Sequence, residues 1–477
     1  MILRTKISSL LLIIPALSAF PQKLKKADKA VLTNLETHIH YLADEKLEGR
    51  RTGTPGEKLA SDYISIEYMK AGLRPRGDNN GWLQAFQINE GREVSSDSYF
   101  EVNTRDFVLN KDYFPLAFSS TGSISGSPAI ALQEEGEPWF MDLKEQLEAN
   151  QGNPHFELES LLHAKAKEFA RKGATAIILY NTSKIADNLS FSPSDRSEPV
   201  TIPVIYITPE AKKKYLKDES ASLDIKIRVG FTNKQRTGHN VVGYLDNGAS
   251  STVIIGAHYD HLGHGEDGNV LSPGGAGVTF KGADDNASGV AATIELARML
   301  NGSRLKNNNY LFIAFSGEEL GLFGSKYFAD HPTVDPSRLN YMINMDMIGR
   351  LNDSSHALTI GGYGSSPVWG DAFSSISDRT FFSLKIDSSG VGPSDHTSFY
   401  RKGIPVLFFF TGITSDYHKP TDDCDKINYT GELRVLKYVY AVVESVNGRG
   451  RIPFAKTREG QMGGIMYGSR FVVGGKN

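Results

Sequence analysis

Val253-Ile-Ile-Gly256-Ala-His258-Tyr-Asp260 is the first of four apolar runs that lead into side chains able to hold a metal. Tyr310-Leu-Phe-Ile-Ala-Phe315 leads into Glu318-Glu319, Tyr341-Met-Ile-Asn-Met345 into Asp346, and Val406-Leu-Phe-Phe-Phe410 is followed by His418. Between the first two lies Gly282-Ala-Asp284-Asp285-Asn286-Ala-Ser-Gly289, with two acids at the mouth of a helix. Parallel strands buried on both faces read as continuous apolar runs. Open α/β sheets place their ligands at the carboxyl ends of such strands. The expected fold is therefore α/β, a mixed, mostly parallel sheet flanked by helices, with a metal site along one edge.

The rest of the chain bounds this reading. With 477 residues, two or three domains are expected. A hydrophobic content of 40% and a charged content of 22% suit a soluble protein with ample core, and a net charge of -3 gives no support for nucleic-acid binding. Met1-Ile-Leu-Arg4-Thr-Lys6 followed by apolar Ile7–Ala19 reads as a secretory signal peptide over 1–19; the alternative is a buried first helix. The run is too short to span a membrane comfortably, and no other approaches about 20 apolar residues, so no integral membrane segment is expected once the signal is removed. Cys424 is the only cysteine, which excludes an internal disulfide framework and argues against lipid attachment at the leader. Export then implies a bacterial periplasm or the medium.

Apolar Leu35, Ile39 and Leu42, then Ala60, Tyr63, Ile64 and Tyr68, fall at helical spacing on either side of a Gly/Arg/Thr turn, with Gly72 as a stop signal. Trp82–Ile88 alternates like a strand. Between about Asn103 and Lys234 the character changes: a Ser/Gly-rich stretch, the acidic Glu134–Glu145, a helix over Leu161–Arg171, and strands over Ala174–Tyr180 and Thr201–Ile207. The expected division is 20–102 as the N-terminal part of the main domain and 103–235 as a β-rich insertion carrying a helix. The main domain resumes over 236–446, and 447–477 is a Gly-rich basic tail.

A two-metal hydrolytic site needs imidazole and carboxylate ligands, one carboxylate bridging both ions, and one left free as a base. His258 and Asp260 sit two apart at a strand end and so share a face, which lets Asp260 accept the second ring N–H of His258. A solvated loop histidine beside an unrelated acid is the other reading. Asp284 is the expected bridging ligand, with a helix N-terminus behind it; ordinary helix capping is the alternative. Glu319 is expected on one ion and Glu318 as general base, although Ser316-Gly-Glu318-Glu319 also fits a capping box. Asp346, in an apolar setting, needs either a metal or a cation such as Arg350. His418 is the last expected ligand. Ser394-Asp395-His396 could line the pocket. His261 and His264 have no spacing that ties them to the others and read as loop residues.

Ala257-His258-Tyr-Asp260-His-Leu-Gly263, Gly282–Gly289, Ser316–Gly321, Asn344–Gly349, Ser394-Asp395-His396 and Tyr417-His418-x-x-x-Asp422 together resemble the secreted di-zinc aminopeptidases of the transferrin-receptor and glutamate-carboxypeptidase superfamily. Leu47-Glu-Gly49-Arg50 and Ala71-Gly-Leu73-Arg-Pro75 look like that family's N-terminal helices. The insertion resembles its protease-associated domain, apart from an acidic, extended Gln133–Phe156. The resemblance implies two Zn(2+) per chain, His258 and Asp346 on one, Glu319 and His418 on the other, and Asp284 bridging. It also implies Glu318 as general base, Asp260 as the partner of His258, a cis peptide between Asp284 and Asp285, and a contact from Tyr417 to the substrate carbonyl.

Together these residues and the resemblance imply an exported metallo-exopeptidase acting on peptides, most simply an aminopeptidase. The rivals share the metal core. A carboxypeptidase would need cations such as Arg350 or Arg379 for a substrate carboxylate, and a glutaminyl cyclase-like transferase would work with one zinc. A serine hydrolase has no Gly-X-Ser-X-Gly elbow to support it.

Overall fold

The computed structural model describes residues 25–151, 153, 156–193, 195, 197–275, 277–376 and 380–457. The expected leader 1–19 and the end of the basic tail lie outside them. The chain divides into two units, Met1–Phe86 with Gly238–Asn477, and Gln87–Thr237. The second unit begins earlier than the change in composition near Asn103, because the strand read over Trp82–Ile88 runs on as Leu83–Val94.

In the first unit the strands lie in the order Arg74–Pro75, Phe231–Leu245, Asn309–Phe315, Thr252–His258, Leu339–Met345, Val406–Phe410, Ala357–Gly361, Ser383–Ile386. The four central strands are mutually parallel, while Phe231–Leu245 and Ala357–Gly361 join them antiparallel. This is the mixed, mostly parallel sheet that the apolar runs imply. Register brings the carboxyl ends level: His258 stands beside Phe315, and Gly256 beside Asn344. The loops that leave these strands therefore emerge along one edge.

Strand side chains alternate between two cores, as the two-residue period requires. Val253, Ile255, Phe312, Ile343 and Met345 join Ile39, Tyr68, Ile294 and Val439 from the helices Lys26–Leu42, Pro55–Lys70, Gly289–Asn301 and Tyr429–Val446. Ile254, Leu311, Phe315 and Met342 join Phe328 and Phe399 on the opposite face. The helix Pro55–Lys70 starts where Thr54 accepts the N–H of Glu57 with proline in the first turn. Its C-terminal end meets Gly72, at φ +88°, the stop signal read from sequence. Phe312 is fully buried in the first core. Phe312→Ala is expected to lower unfolding free energy by about 3–5 kcal/mol in denaturant titration; a loss below about 1 kcal/mol would mean that the site collapses to fill the cavity.

The second unit holds two four-stranded sheets. One is antiparallel, in the order Arg105–Phe107, Tyr99–Val102, Ile225–Val229, Gly122–Gly126. The other runs Tyr113–Pro115, Val204–Ile207, Ile177–Tyr180, Trp139–Asp142, its last three strands parallel. Helix Leu158–Arg171 supplies Leu162 and Phe169 to the core around Trp139. The strand Trp139–Asp142 hides inside the acidic stretch because its apolar part, Trp139-Phe-Met141, is only three residues long. Among the described residues no helix is long and apolar enough to cross a membrane.

Candidate metal centre

His258 is the last residue of Thr252–His258, Glu318 and Glu319 follow Asn309–Phe315, and Asp346 follows Leu339–Met345. His418 lies in the loop after Val406–Phe410. All sit at the carboxyl edge of the parallel strands. The acidic turn between Thr252–His258 and helix Gly289–Asn301 is locked from beneath. The Asn286 side chain donates to the Met345 carbonyl at 3.0 Å and accepts the N–H groups of Met347 and Gly289.

The distances between these side chains bear on whether they could share an ion. His258 Nε2 lies 3.3 Å from Asp346 Oδ1 and 3.4 Å from Asp285 Oδ1. His418 Nε2 lies 3.4 Å from Asp285 Oδ2 and 3.2 Å from Glu319 Oε2. A charge-assisted N–H to O bond would be about 2.7–2.9 Å long. Donors arranged tetrahedrally around a zinc ion at about 2.0–2.1 Å stand about 3.3–3.4 Å from one another. The observed spacings are close to that value. Two groups, His258 with Asp285 and Asp346 and His261 with Asp285 and Glu319, could each hold a metal ion, and nitrogen and oxygen donors suit zinc.

The carboxylate that lies between His258 and His418 is Asp285, whereas the sequence reading expected Asp284 there. Asp284 Oδ1 accepts the Gly349 N–H at 2.8 Å and the Ser288 hydroxyl at 3.3 Å, while its Oδ2 is buried with no hydrogen-bond partner. Burial, and then the neighbouring Asp422, hold its carboxyl well above the usual range. Asp422 explains the turn, since its carboxylate accepts the backbone N–H of both Asp284 and Asp285. The cis peptide is correspondingly Asp285–Asn286, not Asp284–Asp285. Adjacent acids in an irregular turn have no periodicity from which to choose between them.

Asp260 also does something other than expected. The Nδ1–H of His258 donates to the Asp260 backbone carbonyl at 3.2 Å, while the nearer carboxylate oxygen is at 3.7 Å. That carboxylate instead accepts the N–H groups of Glu318 at 3.2 Å and Glu319 at 3.4 Å, with the Thr52 hydroxyl at 3.1 Å. Asp260 therefore aims the two glutamates. Removing it in Asp260→Ala is expected to weaken divalent-ion binding by about 10–100-fold in chelator competition; unchanged affinity would show that the amides hold without it. Glu318 keeps part of its surface exposed, and its side chain takes no part in the histidine–carboxylate contacts given above. Burial raises its carboxyl well above the usual range, His258 opposes this, and Glu319, Asp346 and Asp395 add to it.

The motif Leu47-Glu-Gly49-Arg50 has a structural role that spacing could not disclose. The fully buried Arg50 guanidinium donates to the carbonyls of Leu42, Tyr259, Lys281 and Gly282, tying both ligand-bearing loops to the end of the first helix. Burial pushes its pKa down to about 10, with Asp285, Asp260 and Asp422 opposing the fall.

Of the remaining expected residues, Tyr417 stacks on the ring of His418 at 3.8 Å. Asp395 and His396 are 0% and 1% exposed, so they offer no open surface. Burial pushes Asp395 up to about 7 and His396 down to about 3, leaving that imidazole neutral and stacked on Phe408. Arg350 pairs with Asp416 at 3.3 Å and not with Asp346; Arg379 lies outside the described residues. His261, read as a loop residue, sits in the cluster with Asp285 and Glu319.

Residues 240–443 match the model of peptidase family M28. The aminopeptidase YwaD of Bacillus subtilis (strain 168) is 30% identical over 281 residues, which is 56% of this chain and 56% of that protein. Leupeptin-inactivating enzyme 1 of Streptomyces exfoliatus is 30% identical over 199 residues, 41% of this chain and 40% of its own length. The chain spans about half the length of the curated relatives it matches. Among solved structures, BSAP, a zinc aminopeptidase from Bacillus subtilis, aligns over 87% of this chain and 95% of its own at 22% identity and a TM-score of 0.48. The aminopeptidase from Aneurinibacillus sp. strain AM-1 aligns over 90% and 96% at 23% identity and a TM-score of 0.47.

Proposed function

Because residues 240–443 match the model of peptidase family M28, we propose that the protein is an exported two-zinc aminopeptidase of that family that removes N-terminal residues from peptides. The observation that carries the reading is Asp285, whose two oxygens each lie 3.4 Å from a different histidine. His258, Asp346 and Asp285 Oδ1 would hold one zinc, and His418, Glu319 and Asp285 Oδ2 the other. Zinc at these positions supplies Lewis acidity for the scissile carbonyl and lowers the pKa of water. Glu318, free of the ligand contacts, accepts the proton of the attacking water and returns it to the amine that leaves. Asp260 fixes the backbone from which Glu318 projects. Tyr417, stacked on His418, would meet the substrate carbonyl. The leader 1–19 would direct export, and the unit Gln87–Thr237 would be the protease-associated-like insertion.

A carboxypeptidase is less well served, because the candidate cation Arg350 is already paired with Asp416. The deciding experiment is a panel of aminoacyl chromogenic substrates with free and acetylated amines, run with chelator and zinc add-back. Zinc-dependent cleavage of the free-amine forms alone is the expected result. Cleavage of neither form by the zinc-loaded protein would overturn the aminopeptidase assignment.

A further inference from the structure

His261 has no part in the ligand set above, yet its imidazole touches that set more tightly than any ligand touches another. Its Nδ1 lies 2.8 Å from Glu319 Oε1 and 3.9 Å from Asp285 Oδ2. The first distance is that of a charge-assisted hydrogen bond; the second is too long for one, and neither is a tetrahedral edge of about 3.3–3.4 Å around zinc. An ionised Glu319 can only accept, so the proton belongs on Nδ1 and Nε2 is left as a bare acceptor. The second nitrogen is indeed buried with no hydrogen-bond partner.

The ring has little room to turn. Gly282, at φ +58°, lies so close that a Cβ there would stand 2.6 Å from His261 Cγ and Cδ2. The His418 ring meets it edge-on at 5.9 Å. The His261 backbone N–H donates to the Arg50 carbonyl, 3.4 Å away. Glu319 is thus held by one oxygen from His261 while its other, Oε2, faces His418 at 3.2 Å.

We infer that His261 is a positioning residue for the second zinc: its Nδ1–H occupies Oε1 of Glu319, so that this carboxylate offers a single oxygen to the ion it shares with His418. The inference rests on the two-zinc reading and adds to it a residue that binds no metal but sets the affinity of one site.

The test is zinc titration of the metal-free full chain against a chromogenic chelator, resolving two affinities. His261→Ala is expected to weaken one site by about 10–100-fold and leave the other near its wild-type value. The weakened site should be the one that His418→Ala abolishes. An asparagine carries its amide nitrogen on Cγ, where Nδ1 stands, and a glutamine carries it one atom further, near Nε2. His261→Asn should therefore restore the affinity and His261→Gln should not, which also decides the matter if the alanine variant does not fold. The thermal midpoint of each metal-free variant, expected near wild type, separates lost positioning from lost structure. Two unchanged affinities in His261→Ala, equal weakening of both sites, or rescue by glutamine would overturn the inference. If the wild-type chain itself fails to take two ions, it is the two-zinc reading that falls.

Discussion

Glu318→Ala is expected to keep both zinc ions and to lower kcat by about 10²–10⁴-fold. The separation follows from the geometry. The Glu318 side chain makes none of the contacts at 3.2–3.4 Å that outline the ion sites, so its removal deletes no ligand. Its backbone N–H is held by Asp260, so the neighbouring Glu319 keeps its direction. Glu318→Gln keeps the shape and loses the basicity, and should fall to the same low rate. Steady-state kinetics with metal analysis of the same samples checks both. Near-normal turnover in either variant would remove Glu318 from the proton transfer, and loss of zinc would make it a ligand.

Asp285→Ala is expected to abolish activity by removing one ligand from each ion at once. Asp284→Ala, one residue away, should retain both ions. Its oxygen serves the Gly349 N–H and the Ser288 hydroxyl, so the expected cost is stability, about 1–3 kcal/mol for the unpaired donor. Thermal unfolding with and without chelator distinguishes the two: the Asp285 variant should have lost the zinc-dependent shift of its midpoint, and the Asp284 variant should keep it. The opposite pattern would return the bridge to Asp284.

The contrast between these neighbours marks where sequence stops being legible. The central strands and the candidate ligands His258, Glu319, Asp346 and His418 could be proposed from the chain alone, because a buried parallel strand is an apolar run and its end is where ligands gather. The turn Ala283–Ser288 has no such rule. It is held by Asp422, more than a hundred residues later, which accepts the backbone N–H groups of both Asp284 and Asp285. Asp260 failed the two-residue rule for a related reason: the strand ends at His258, and beyond it the face-sharing period no longer applies. His261 was unreadable because its partner Glu319 and its close neighbour Gly282 are both distant in sequence and near only in space. Arg50 was visible as part of a motif, but the four carbonyls it binds come from three separate segments.

The most direct measurement is anomalous scattering at the zinc edge from crystals of the intact chain. Two peaks should flank Asp285, each about 2.0–2.2 Å from one of its oxygens. One should be completed by His258 and Asp346, the other by Glu319 and His418, with His261 Nδ1 remaining on Glu319. A single peak, or a pair that does not share Asp285, would contradict the two-zinc centre.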